Sequence, residues 1–137
     1  MNGRVLRCAF VFLIVFMLTA AVWSEPGDWL ELGSGWEELG GMTALDGNLY
    51  IISGETLYEV DKEGNYTDLG GGWSDTGGMA AYDGLLYIIS GGTLWEVDKE
   101  GNYTDIGSGW DNTGGMTVLD GRLYIVSGGT LYEVLTE

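Results

Sequence analysis

Histidine is missing from this chain of 137 residues, cysteine and proline occur once each as Cys8 and Pro26, and only five lysines and arginines stand against 21 acids. Each shortage removes a class of chemistry. Without His or a second Cys, His-dependent acyl-transfer triads, disulfides and Cys/His zinc sites lack their parts. Beyond residue 24 the cations are Lys62, Lys99 and Arg122, so phosphate cradles are not available, and three cations against 21 acids give that stretch a net charge of -18. Such a surface repels the phosphates of nucleic acids and anionic headgroups of membranes. Carboxylate pairs remain, which leaves a glycosidase as the enzyme class to weigh. Repetition argues against it, since Asp46, Asp83 and Asp120 are equivalents of one another in turn positions. The chain reads as a non-enzyme, with no cofactor and no metal site.

What is present begins with a leader. Arg4 and Arg7 precede an apolar run from Cys8 to Val22 broken only by Thr19. The run is shorter than the roughly 20 residues that span a bilayer, and its flanks match a secretory signal. Residues 1–24 are therefore expected to be cleaved before Glu25, leaving a secreted or periplasmic domain, 25–137, that has no thiol and no membrane anchor.

The rest is repetitive. Trp36, Trp73 and Trp110 recur every 37 residues, and repeats 36–72 and 73–109 share 27 of 37 positions. The third repeat, 110–137, stops nine residues short, and 27–35 supplies those nine in register, so residues 27–137 equal three whole units with the last split between its ends. Within a unit the pattern gives four strands: Met79 to Tyr82, Leu85 to Ile89, Thr93 to Asp98 and Tyr103 to Ile106. Asp83-Gly84 and Gly91-Gly92 are hairpin dipeptides, and Lys99-Glu-Gly-Asn102 is a polar turn. The second strand is apolar on both faces while the third and fourth mix in Glu96 and Asp105, which describes a sheet with a buried middle and a wet outer edge. An all-β fold of three four-stranded propeller-type blades follows.

The run Asp83-Gly-Leu-Leu-Tyr-Ile-Ile-Ser-Gly-Gly92, followed by Val97-Asp98 and Tyr103-Thr-Asp-Ile106, resembles a shortened kelch blade across all three repeats. Short, near-identical blades with a junction Trp are also similar to tachylectin-like propeller lectins. The blades are shorter than the roughly 50 residues of kelch, and Gly54-Glu55 replaces the double glycine in the first repeat. The resemblance implies a propeller and a tendency to bind sugars or proteins.

Three blades do not close a propeller, which has roughly 4 to 8. Two copies give a six-bladed homodimer, in which Asp28 to Leu32 completes the blade ended by Leu131 to Leu135, in its own chain or the partner's. A nine-bladed trimer and an unrelated three-unit β fold are the alternatives.

For ligand contact the candidates are Trp36, Trp73 and Trp110, whose indoles can stack on sugars, with Ser74, Asp75 and Thr76, and Asp111, Asn112 and Thr113, to bond hydroxyls. The competing role for each Trp is a wedge between sheets. Glu37-Glu38-Leu39 makes the first loop different. Asp61-Lys-Glu-Gly-Asn65 and Asp98-Lys-Glu-Gly-Asn102 read as solvated hairpin turns, with weak calcium binding as the alternative. Met42, Met79 and Met116 read as core filler or as lining of the axis, and Tyr50, Tyr87 and Tyr124 as packing. The function expected is a multivalent, carbohydrate-binding module whose rival is a protein-interaction scaffold.

Overall fold

The structure is a computed structural model that describes residues 25–136. The expected signal, residues 1–24 with Cys8, lies outside the described residues. Residues 25–34 belong to a unit of their own, separate from the unit beginning at Gly35. In the former, Asp28 closes a turn by accepting the Glu25 N–H on Oδ2 at 3.0 Å, and the chain then continues without strand structure.

From Gly35 onward the described residues contain eleven strands and no helix. Blade 1 comprises β1 (Leu39–Leu45), β2 (Asn48–Ser53), β3 (Thr56–Val60) and β4 (Tyr66–Gly71). Blade 2 comprises β5 (Thr76–Tyr82), β6 (Leu85–Ser90), β7 (Thr93–Val97) and β8 (Tyr103–Ser108). Blade 3 comprises β9 (Thr113–Leu119), β10 (Arg122–Ser127) and β11 (Thr130–Leu135). Each sheet is an antiparallel meander in chain order. The first two sheets have the four expected strands. The third has three, because Asp28 to Leu32, expected as its outer strand, takes no strand conformation. Among the described residues β11 is therefore the edge of its sheet.

Local chemistry explains the meanders. Asp46-Gly47, Asp83-Gly84 and Asp120-Gly121 all have positive φ at both residues, the twist that fits a two-residue hairpin. Gly91-Gly92 and Gly128-Gly129 do the same, and in blade 1 Glu55 is forced into φ +66° where the other repeats use glycine. The polar turn forms as expected: the Asp61 carboxylate accepts the Glu63 and Asn65 N–H groups at 2.9 Å each and the Asn65 amide at 3.0 Å. Those bonds, the Asn65 amide first, hold its carboxyl below the usual range. Asp98 repeats the arrangement with Glu100 and Asn102.

The blades stand side by side through their first strands, β1 beside β5 and β5 beside β9. One hydrophobic cluster joins Leu45, Tyr50, Ile52 and Leu57 of blade 1 to Met79, Leu86, Ile88 and Val97 of blade 2. A second joins Ala80, Tyr87, Ile89 and Leu94 of blade 2 to Leu123 and Ile125 of blade 3. The core therefore lies between sheets, as sheet-on-sheet packing requires when a strand is apolar on both faces. Outer strands β4 and β8 are largely exposed, as the mixed pattern predicts. Met79 is buried as core filler, Met116 is half-buried, and Met42, which has no blade before it, is exposed.

The double glycines make close packing possible. The first glycine of each pair sits where the register slips by one residue, a β-bulge opening the inner strand. A Cβ at Gly40 would collide with the Thr76 side chain, and one at Gly41 would stand 3.2 Å from Met79 Cβ. At Gly77 it would collide with Thr113, and at Gly78 it would stand 3.2 Å from Met116 Cβ.

Candidate functional site

The loop that opens each blade carries the candidate residues, and the structure shows how it is held. Trp73 N–H donates to the Glu55 carbonyl at 3.0 Å, and Trp110 N–H to the Gly92 carbonyl at 2.9 Å, so each loop is tied to the second hairpin of the preceding blade. A buried serine at the end of the second strand ties it to its own blade. Ser90 Oγ donates to the Ser74 carbonyl and Ser127 Oγ to the Asp111 carbonyl, both at 2.6 Å. Ser53 Oγ donates to the Glu37 carbonyl at 2.7 Å and accepts its N–H at 3.0 Å. These serines were not among the sequence candidates, although their position before every turn dipeptide was visible. Two residues after each Trp, Glu38, Asp75 and Asn112 have φ of 47°, 46° and 50°, a left-handed backbone that Asp and Asn adopt more readily than Glu.

Each indole meets aromatic rings of its own blade, two for Trp36 and Trp73 and one for Trp110. Trp36 meets Tyr58 and Tyr66 edge to face at 5.5 and 5.7 Å. Trp73 meets Trp95 and Tyr103 at 6.4 and 5.7 Å, and Trp110 meets Tyr132 at 5.5 Å. Trp73 is 7% exposed and belongs to the core between blades 1 and 2. Trp110 is half-buried against the core between blades 2 and 3, and Trp36 is half-buried as well. A wedge geometry thus describes Trp73 most closely.

The nine candidates do not form one pocket per blade. Asp75 and Thr76 from blade 2 and Trp110, Asp111, Asn112 and Thr113 from blade 3 line a single groove of ≈ 480 Å³ between those blades, floored by Gly91 and Gly92. Close approach matters there, since a Cβ at Gly92 would stand 3.2 Å from Asp111 Oδ1. Trp73 and Ser74 line another hollow, of ≈ 330 Å³, with Trp95 and Tyr103. Trp36 borders a third cleft, of ≈ 590 Å³, among the inner strands, together with Leu39, Met42 and all three glycine pairs. The first groove alone combines an indole with carboxylates, an amide and hydroxyls. Among the described residues no cluster of three or more acids is arranged to hold a metal ion.

The tyrosines of the second strands do more than pack. Tyr50 and Tyr124 hydroxyls donate to Glu59 and Glu133 carboxylates at 2.7 Å, and Tyr87 approaches Glu96 at 3.5 Å. Burial first, and the carboxylate second, pushes Tyr50 well above the usual phenol range and Tyr87 up to about 12. These phenols stay protonated and serve the sheet.

No family model and no curated protein matches the chain. Solved structures do. Virginiamycin B lyase from Staphylococcus aureus is similar with a TM-score of 0.58 and 16% identity, covering 72% of this chain and 38% of that one. The N-terminal domain of Nup159 has a TM-score of 0.48 and 10% identity, covering 67% and 28%. This chain spans well under half the length of either. The likeness to the lyase, with the blade meanders above, defines a β-propeller-type all-β protein. At such identity it carries the fold and no activity.

Proposed function

We propose that this chain is a secreted or periplasmic binding module for carbohydrate that acts as a ring of two copies with six blades. The reading rests on one observation: the groove between blades 2 and 3 brings six of the nine candidate residues, Trp110 among them, to one surface. Its lining suits a sugar, which offers an apolar face to an indole and hydroxyls to Asp75, Thr76, Asp111, Asn112 and Thr113. In a ring of two copies of kelch-like or tachylectin-like blades this groove would occur once per copy, and the two weak equivalent sites then act through avidity. The surface charge fits neutral or cationic glycans and disfavours anionic ones.

A scaffold that binds protein is the second reading, favoured by the burial of Trp73 in the core between blades. Replacing Trp110 by Phe separates the two. The carbohydrate reading predicts an unchanged β-sheet circular dichroism spectrum and at least roughly tenfold weaker binding on a glycan array, a loss of about 1.4 kcal/mol. Undiminished glycan binding by W110F, or none by the parent chain, would overturn it. Incubation with a panel of aryl glycosides tests the glycosidase alternative, and we expect no hydrolysis.

A further inference from the structure

The two end faces of the three-blade unit carry the same features that meet at each junction between its blades. Where blades 1 and 2 meet, Gly40-Gly41 takes Thr76 and Met79, and where blades 2 and 3 meet, Gly77-Gly78 takes Thr113 and Met116. Advanced by one repeat, Gly114-Gly115 should take Leu39 and Met42, which stand at the other end of the row. Nothing lies within 4 Å of a Cβ built at Gly114 or Gly115, while Leu39 and Met42 are 66% and 62% exposed. Exposed apolar side chains facing an unfilled notch of the same repeat geometry are complementary surfaces.

Charge and ring positions follow the same rule. Lys99 of blade 2 pairs with Asp46 of blade 1. One repeat away, the corresponding residues are Lys62 of blade 1 and Asp120 of blade 3. Trp36 and Trp73 each sit in a triad closed by Tyr66 or Tyr103. For Trp110 and Tyr132 the corresponding position is Trp29, on the segment that leads into blade 1.

We propose that the Gly114-Gly115 notch and the β11 edge form a docking surface for blade 1 of a second copy of this chain, joined head to tail. Leu39 and Met42 of that copy seat against the glycines, its Lys62 reaches Asp120, and its residues 28–32 extend the sheet at β11. The contact is heterologous, and two identical junctions close two copies into a ring. The inference rests on the two-copy ring proposed above and adds the residues that make its junction.

The test is sedimentation and native mass spectrometry of the protein produced from the full sequence, alongside Gly114→Val and, from the opposite face, Leu39→Arg. Valine at 114 has room within its own chain but occupies the notch, so G114V should keep the parent's circular dichroism and sediment as a monomer. Dimer association should weaken on the order of 100-fold, because overpacking strikes both junctions of each ring. L39R should do the same without any change in the acceptor. A dimeric parent whose G114V and L39R variants stay dimeric would overturn the notch while leaving the ring intact. A folded, monomeric parent would overturn both.

Discussion

Blades 2 and 3 share 18 of 28 aligned positions and have very different surroundings. Leu94 in β7 is 1% exposed, and its equivalent Leu131 in β11 is 66% exposed. Ile89 is 1% exposed and Val126 is 41%. Blade 2 has a neighbour on each side, whereas blade 3 has one. The hydrophobic pattern of a propeller strand therefore specifies that it wants covering, and the adjoining sheet decides whether it is covered.

The largest test of that comparison is truncation. Leu94→Ala empties a site walled by both blades and should cost roughly 2–5 kcal/mol in urea unfolding, whatever the protein concentration. Leu131→Ala should cost less than about 0.5 kcal/mol in dilute protein and show a larger loss only where copies associate. Equal costs at all concentrations would mean that blade 3 is buried by something within the chain.

A smaller effect comes from the tyrosines. Tyr87 is buried between blades, while Tyr124 of blade 3 is raised chiefly by its bond to Glu133. Because the folded Tyr87 titrates near 12 and an unfolded tyrosine near 10.0, its contribution is intact below pH 10 and lost as the pH climbs through that window. Urea midpoints taken from pH 8 to above 11 should fall steeply for the parent chain and less steeply for Tyr87→Phe.

The smallest effect compares blades 1 and 2. Glu55 holds a left-handed φ that Gly92 occupies without strain in the next repeat. Glu55→Gly should raise stability by about 1 kcal/mol, less any entropy lost by glycine, read as a higher urea midpoint. A fall would show that the Glu55 side chain contributes something the backbone conformation does not account for.

What could be read in the sequence is what is decided locally. Asp83-Gly84 and Gly91-Gly92 specify their hairpins through φ, and the alternation in β7 and β8 distinguishes a wet outer edge from a dry middle. The Gly77-Gly78 pair recurs in every repeat, and the structure names Thr113 and Met116 as what approaches it. Less legible was anything set by partners far along the chain. The burial of Trp73 depends on blade 1, the Lys99–Asp46 pair joins two repeats, and Ser90 matters because its hydroxyl reaches the carbonyl of Ser74 across a hairpin. The fourth strand of blade 3, expected from residues 28–32 of its own chain or the partner's, is absent from the three-stranded sheet for the same reason. Residues 28–32 match a strand in sequence, but a strand forms only where an edge receives it.

Hydrogen exchange of β11 measured against β7, at low and high protein concentration, tests most directly whether blade 3 is a half-interface completed by another copy. The account predicts that Thr130–Leu135 exchange rapidly in dilute protein and approach the protection of Thr93–Val97 as copies associate. Rapid exchange of β11 at every concentration beside a protected β7 would contradict it.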